Sequence, residues 1–192
     1  MSSDPTTSIT VSLPGWVSSA VDFERSYESD VERMRLAVFI ARENVRYETG
    51  GPFGAAIFEA ETGRLVSVGV NRVVALNNST LHAEMVAFML AQAKLQSYTL
   101  GGPGQPAHEL FTSCEPCAMC LGATPWSGVT RVVWAATRED AGRLAFDEGP
   151  VFQATYDYLT ARGIRFAAGP LRDEARRILI EYDRQGGEIY NG

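Results

Sequence analysis

The sequence predicts one three-layer α/β/α domain, a central mixed five-stranded sheet flanked by helices. Three observations carry this expectation. Short β-rich runs alternate with helical stretches in the order α-β-β-α-β-α-β-α-β-α. The 192 residues suffice for one core and are short for two. Hydrophobic content of 45% and charged content of 21% are ordinary for a globular chain, and there is no internal repeat or low-complexity tract.

Residues 1–28 read as an irregular or loosely structured extension ahead of a domain spanning 29–192. "SDVERMRLAVFIARENVRY" then puts Met34, Ala37, Val38, Ala41 and Val45 on one helical stripe, behind an N-cap at Ser29 or Asp30. "GPFGAAIFEAETGRLVSVGVNRV" places two β-rich runs around the turn "ETG", which predicts a hairpin. "LHAEMVAFMLAQAKLQSY" is an amphipathic helix. "HELFTS" and "VTRVVWAAT" are short buried strands, with a helix from Pro116 to about Ser127 between them. "VFQATYDYLTARG" is a helix stopped at Gly163, "IRFAAG" a strand, and "LRDEARRILIEYDRQGG" a last helix ending at a glycine pair.

The start, "MSSDPTTSITVSLPGWV", lacks the basic and apolar regions of a secretory signal, and no stretch approaches the ~20 apolar residues of a membrane span. A cytoplasmic, reducing setting is the expectation, in which clustered cysteines serve more often as ligands or catalytic groups than as disulfides. The formal net charge is −6 and Lys94 is the only lysine, so the electrostatic footprint of a nucleic-acid binder is missing. The pair Arg176 and Arg177 reads as the solvated face of a helix. The expected partner is a small molecule.

Cys114, Cys117 and Cys120, in "TSCEPCAMCLG", are the only cysteines. Their spacing suits a redox pair, part of a closed structural zinc site or part of an open catalytic one. Cys117 and Cys120 stand at i and i+3 of a helix that Pro116 can open at its first position, so both sulfurs share one face. A helix N-terminus lowers thiolate pKa values there. His82, in "LHAEM", starts another helix, with Glu84 two residues on. His82, Cys117 and Cys120 together give three ligands and leave one position open, as catalytic zinc requires. A redox pair normally follows a first strand, whereas this pair comes late, behind a proline. A closed site needs a fourth ligand from Cys114, His108 or a carboxylate. Cys114 reads as a packing thiol, and His108, behind the loop "GGPGQPA", as a surface or capping residue.

His82-Ala83-Glu84 together with Pro116-Cys117-Ala118-Met119-Cys120 resembles the zinc-dependent cytidine deaminase superfamily. The resemblance runs from about residue 30 to the C-terminus. It implies a cytidine-deaminase-like fold, one catalytic Zn2+ per chain held by His82, Cys117 and Cys120, and hydrolytic release of ammonia from an amino-bearing ring carbon. Glu84, not itself a ligand, would shuttle the protons. The wording is most similar to the guanine deaminase branch, which implies that guanine is converted to xanthine. That branch implies Phe53 stacking on the base, Asn71 bonding the purine edge, Ala83 offering a backbone N–H and Trp126 in the pocket wall. It also implies Glu148, in "AFDEGP" beside Asp147, as a second acid, and Tyr190 closing the pocket. A homodimer is implied, with a swapped C-terminal segment in some members.

Apart from the resemblance, Phe53 and Trp126 read as core aromatics, Asn71 as a turn cap, Glu148 as a surface acid and Tyr190 as a residue packed near a frayed end. Losing an exocyclic amine takes several proton transfers, which is the physical case for two carboxyls. Other substrates in view are cytosine, an aminopterin or an aminotriazine, and then tRNA adenosine, against which the acidic balance speaks. A zinc-stabilised binding module is the alternative from another class, and Glu84 speaks against it. The N-terminal extension and "SYTLGGPGQPAHEL" exceed the minimal family pattern.

Overall fold

The computed structural model describes residues 7–191. Its elements are α1 (Val17–Ala20), α2 (Asp30–Arg46), β1 (Gly54–Glu59), β2 (Leu65–Val70), α3 (Ala83–Leu95), β3 (His108–Cys114), α4 (Ala118–Ser127), β4 (Arg131–Ala136), α5 (Arg138–Gly142), α6 (Gln153–Ala161), β5 (Arg165–Ala168) and α7 (Arg172–Arg184). Every element expected from the sequence is present, and the short helices α1 and α5 are added.

The five strands form one sheet in the order β2-β1-β3-β4-β5. β1 runs antiparallel to both β2 and β3, while β3, β4 and β5 run parallel, so the sheet is mixed as expected. Alternation along β1 feeds two cores: Ala56 and Phe58 face α2 and α7, and Ala55 and Ile57 face α3, α4 and α6. β5 lies at an edge and is the most exposed strand.

Ser29 caps α2 in a reciprocal capping box with Glu32. Met34, Ala37, Val38, Ala41 and Val45 are all buried, as their spacing indicates. Arg33, buried on the same helix, pairs with buried Glu109 of β3 at 2.8 Å and also donates to the carbonyls of Tyr27 and Ala60. That pair locks α2 over the sheet, and removing one partner would leave an uncompensated buried charge.

The extension is tighter than the sequence suggested. Val17, Val21 and Tyr27 join the core, Ser26 bridges Arg64, and the indole N–H of Trp16 donates to Thr49. The apolar residues in an otherwise polar segment explain this; residues 1–6 lie outside those described. His108 also differs from expectation. It is fully buried, its Nδ1 2.6 Å from the carbonyl of Leu100, because the loop ahead of β3 folds back over the strand. Arg176 and Arg177 are exposed, as expected.

Candidate active site

Two helix starts and the carboxyl ends of β2 and β3 meet at one place, where open α/β sheets commonly form sites. His82 is the N-cap of α3 and Cys117 the N-cap of α4. Pro116 therefore precedes the cap instead of opening the helix at its first position. The extended backbone of Cys117 puts its sulfur beside the first turn that carries Cys120.

Glycine at two positions brings these elements together. A Cβ on Gly69 of β2 would stand 2.0 Å from the Ala83 carbonyl oxygen, and one on Gly54 of β1 2.5 Å from that of Ala37. Only a hydrogen side chain lets α3 and α2 approach the sheet this closely. The Gly54 N–H donates to Ser113 Oγ at 3.0 Å, which fixes the mouth of the sheet.

His82 Nδ1 lies 3.5 Å from Cys117 Sγ. The ligand atoms of His82, Cys117 and Cys120 all lie within 4.8 Å of one another. A tetrahedral zinc with bonds of roughly 2.0–2.3 Å spaces its ligands about 3.3–3.8 Å apart; the His82–Cys117 separation falls in that range, and one nitrogen with two sulfurs is a donor set that ion favours. Of the three, Cys117 is poised as an anionic ligand, while the hydrogen bond to Cys117, and then burial, hold the Cys120 thiol well above the usual range. The Cys117 thiol is lowered to about 4 by hydrogen bonding from Cys120, against burial and together with His82. A bound zinc supplies Lewis acidity that generates a hydroxide nucleophile near neutral pH.

Glu84, in the first turn of α3, is buried beside these ligands. Burial and the Cys117 charge raise its pKa. Thr112 Oγ1 donates to Glu84 Oε1 at 3.2 Å, and Cys120 Sγ lies 3.4 Å from Oε2. A fixed carboxyl with a raised pKa can both accept and return a proton.

The adjoining cavity is lined by Phe53, Asn71, His82, Glu84, Cys114, Glu115, Cys117, Glu148, Tyr190 and Asn191. Phe53 stands edge-to-face with Phe146 at 5.1 Å. Asn71 Oδ1 accepts from the backbone N–H groups of Gly51 and Val73, and its Nδ2 donates to Tyr190 Oη at 2.7 Å. Glu148 is pushed up to about 8 by burial, then by the charges of Cys117 and Glu84. Its carbonyl accepts from the Ala118 N–H at 2.8 Å. Asp147 is exposed and turns back to accept from the Gly149 N–H. Tyr190 meets the His82 ring edge-on at 5.9 Å. Ala83, the first residue of α3, is fully buried.

Trp126 is the exception. It is 78% exposed and lines outward-facing grooves with Pro125 and Tyr158, away from this cavity. Six residues along an α-helix place it about 240° round from Cys120 and about 9 Å along the axis. Within its own chain it is therefore not a pocket residue. Cys114 ends β3, lines the cavity and points its thiol at the Thr137 carbonyl, outside the ligand cluster.

Four supporting residues had no signal as single letters. Thr112 orients Glu84, and Asn44 donates to the Gly51 and Asn71 carbonyls. Asn191 ties the tail to the Asp147 carbonyl, and Glu115 lines the cavity. Asn44, a polar residue three positions beyond Ala41 on the buried stripe of α2, was the one its position left open to detection.

Comparison with known proteins agrees with this geometry. A guanine deaminase of Bacillus subtilis is 38% identical over 120 residues, 62% of this chain and 72% of the relative. The crystal structure of guanine deaminase from Nitrosomonas europaea superimposes with a TM-score of 0.88 at 41% identity, covering 94% of this chain and 98% of that one. The protein NE0047 in complex with 2,6-diaminopurine gives 0.88 at 43% identity, over 95% and 96% of the two chains. Residues 27–136, which include His82, Glu84, Cys117 and Cys120, match the cytidine and deoxycytidylate deaminase zinc-binding region, and the chain belongs to that family.

Proposed function

We propose that this protein is a zinc-dependent hydrolytic deaminase of guanine, releasing xanthine and ammonia. One observation carries the substrate: Phe53, Asn71, Glu148 and Tyr190 converge on the cavity that His82, Glu84 and Cys117 also line. The likeness to guanine deaminases over nearly the whole chain supports the same substrate.

In this reading, water adds at C2 of the purine and the exocyclic C–N bond breaks. Glu84 takes the proton of the attacking water and passes it to a ring nitrogen. Glu148, its pKa raised by burial, donates the proton with which the amine leaves as ammonia, and Glu84 takes up the proton that the C2 hydroxyl releases as the carbonyl forms. Phe53 stacks on the base, and Asn71 bonds its edge once Tyr190 gives up the amide it now engages. Ala83 offers its N–H at the start of α3. With the tail seated, the cavity measures about 10 Å³, room for about one water, so a base enters only when Tyr190 and Asn191 lift.

The reading extends to a cytoplasmic homodimer, in which a tail can be exchanged between copies. The exposed Trp126 and Tyr158, flanking one groove, support self-association. Among the described residues no helix is long and apolar enough to cross a membrane. The substrate is tested with zinc-loaded protein on a panel of guanine, cytosine, guanosine, adenosine, an aminopterin and an aminotriazine. Ammonia should come from guanine and not from the nucleosides, whose ribose would keep Tyr190 from closing back over the bound base. Turnover of another amine with none of guanine would overturn the reading.

A further inference from the structure

A polar cluster beside the cavity has no part in the scheme above. Glu115 lies between β3 and Cys117, its side chain 13% exposed. Its Oε1 accepts from the Tyr156 hydroxyl at 2.8 Å and from the Arg138 guanidinium at 3.1 Å. Its Oε2 accepts from the Arg138 backbone N–H at 3.2 Å. Arg138 closes the triangle by donating to Tyr156 Oη at 2.8 Å, its guanidinium 5.6 Å from the centre of that ring.

The chain connectivity gives the triangle its meaning. Arg138 is the first residue of α5 and Tyr156 sits in the first turn of α6. The connection between these helices, 143–152, carries Glu148. Glu115 belongs to the strand-to-helix passage that ends in Cys117. The three side chains thus bind both stems of the Glu148 segment to the passage that positions a metal ligand. The middle of the segment is held separately, by the Ala118 N–H on the Glu148 carbonyl.

We propose that Glu115, Arg138 and Tyr156 are positioning residues, a clamp that sets where the Glu148 carboxyl stands relative to Glu84 and His82. The proposal rests on the reading of Glu148 as the donor for ammonia loss. An irregular connection has many conformers of similar energy, and fixing both its stems with charge-assisted hydrogen bonds removes most of them. A proton donor displaced by a fraction of an ångström donates poorly.

The test is a double-mutant cycle on the zinc-loaded protein. Tyr156→Phe removes the hydroxyl and keeps the ring packed against Phe166 and Trp134. It should lower kcat ~10-fold, with KM changed less than about two-fold and zinc still stoichiometric. Amides of 143–152 should exchange faster with solvent deuterium. In a Glu148→Gln background the same substitution should leave kcat nearly unchanged, because the group it positions is gone. Glu115→Gln, which keeps an acceptor for Tyr156, should fall between wild type and Glu115→Ala. An unchanged kcat in Tyr156→Phe, or its full factor persisting in Glu148→Gln, overturns the clamp alone. A wild-type rate in Glu148→Gln by itself overturns the role of Glu148, and the clamp with it.

Discussion

Gly69→Ala should damage the metal site from behind, without touching a ligand. The new methyl would lie 2.0 Å from the Ala83 carbonyl oxygen and 2.5 Å from the Ala87 nitrogen, both backbone atoms of α3. Neither can swing aside as a side chain would, so α3 must retreat from the sheet by about 1.5 Å to reach ordinary contact. Overpacking of this kind costs about 1–3 kcal/mol. For a chain of this size, a loss of about 2 kcal/mol lowers Tm by about 4–8 °C. The N-cap of α3 is His82, so the same retreat carries a metal ligand away from Cys117. Competition with a chelator should show zinc affinity down ~10-fold or more. Gly142→Ala is the control, since a methyl there meets nothing within 4 Å, and its effect should stay within about 0.5 kcal/mol. A Gly69→Ala protein with unaltered Tm and zinc affinity would show that this glycine does not set the distance between α3 and the sheet.

Thr112→Val removes the hydroxyl that donates to Glu84; kcat should fall ~10-fold with zinc content unchanged, and an equal rate would show that Glu84 needs no such support. Asp140→Asn tests a buried carboxylate that pairs with Arg172 at 2.9 Å and caps α5 through Thr137. Burial opposes its charge, but Arg172 and Thr137 outweigh burial and hold it at about 2, below 3.8. A depressed folded pKa contributes stability that is present above the unfolded value and lost as pH falls through the folded one. Wild type should therefore exceed Asp140→Asn by about 2 kcal/mol at pH 7, with the gap closing between pH 4 and 2 in thermal denaturation. A gap independent of pH would show that charge is not its source. Cys114→Ala should leave zinc at one per chain and cost about 1 kcal/mol; loss of metal would make Cys114 a ligand after all.

The parts of the site readable in the sequence are those whose chemistry depends on local spacing. His82 and Glu84 stand at the cap and first turn of α3, Cys117 and Cys120 at the cap and first turn of α4, and each pair carries its geometry in its own helix start. The strand and helix order was legible because period and turn residues agree, from the Ser29 cap to the "ETG" turn. Phe53, Asn71, Glu148 and Tyr190 were visible only through the register they share with those motifs, since an aromatic or an acid taken alone reads as core or surface. Trp126 shows the limit: resemblance carried its position along the chain, while the helix turned its side chain outward. The link from Glu115 to Tyr156 spans 41 positions and that from Arg33 to Glu109 spans 76, distances over which no local pattern operates. His108 was misjudged for the same reason, because its burial depends on a loop folding back over its strand.

In the proposed reaction, Glu84 and a zinc held by His82, Cys117 and Cys120 deaminate guanine. Its most direct test measures ammonia and xanthine released from guanine by zinc-loaded wild type and by Glu84→Gln, with zinc content determined on both. Wild type should release the two products in equal amounts, and Glu84→Gln should keep one zinc per chain while losing at least ~1,000-fold in rate. Retained turnover in Glu84→Gln, or none from guanine in wild type, would contradict it.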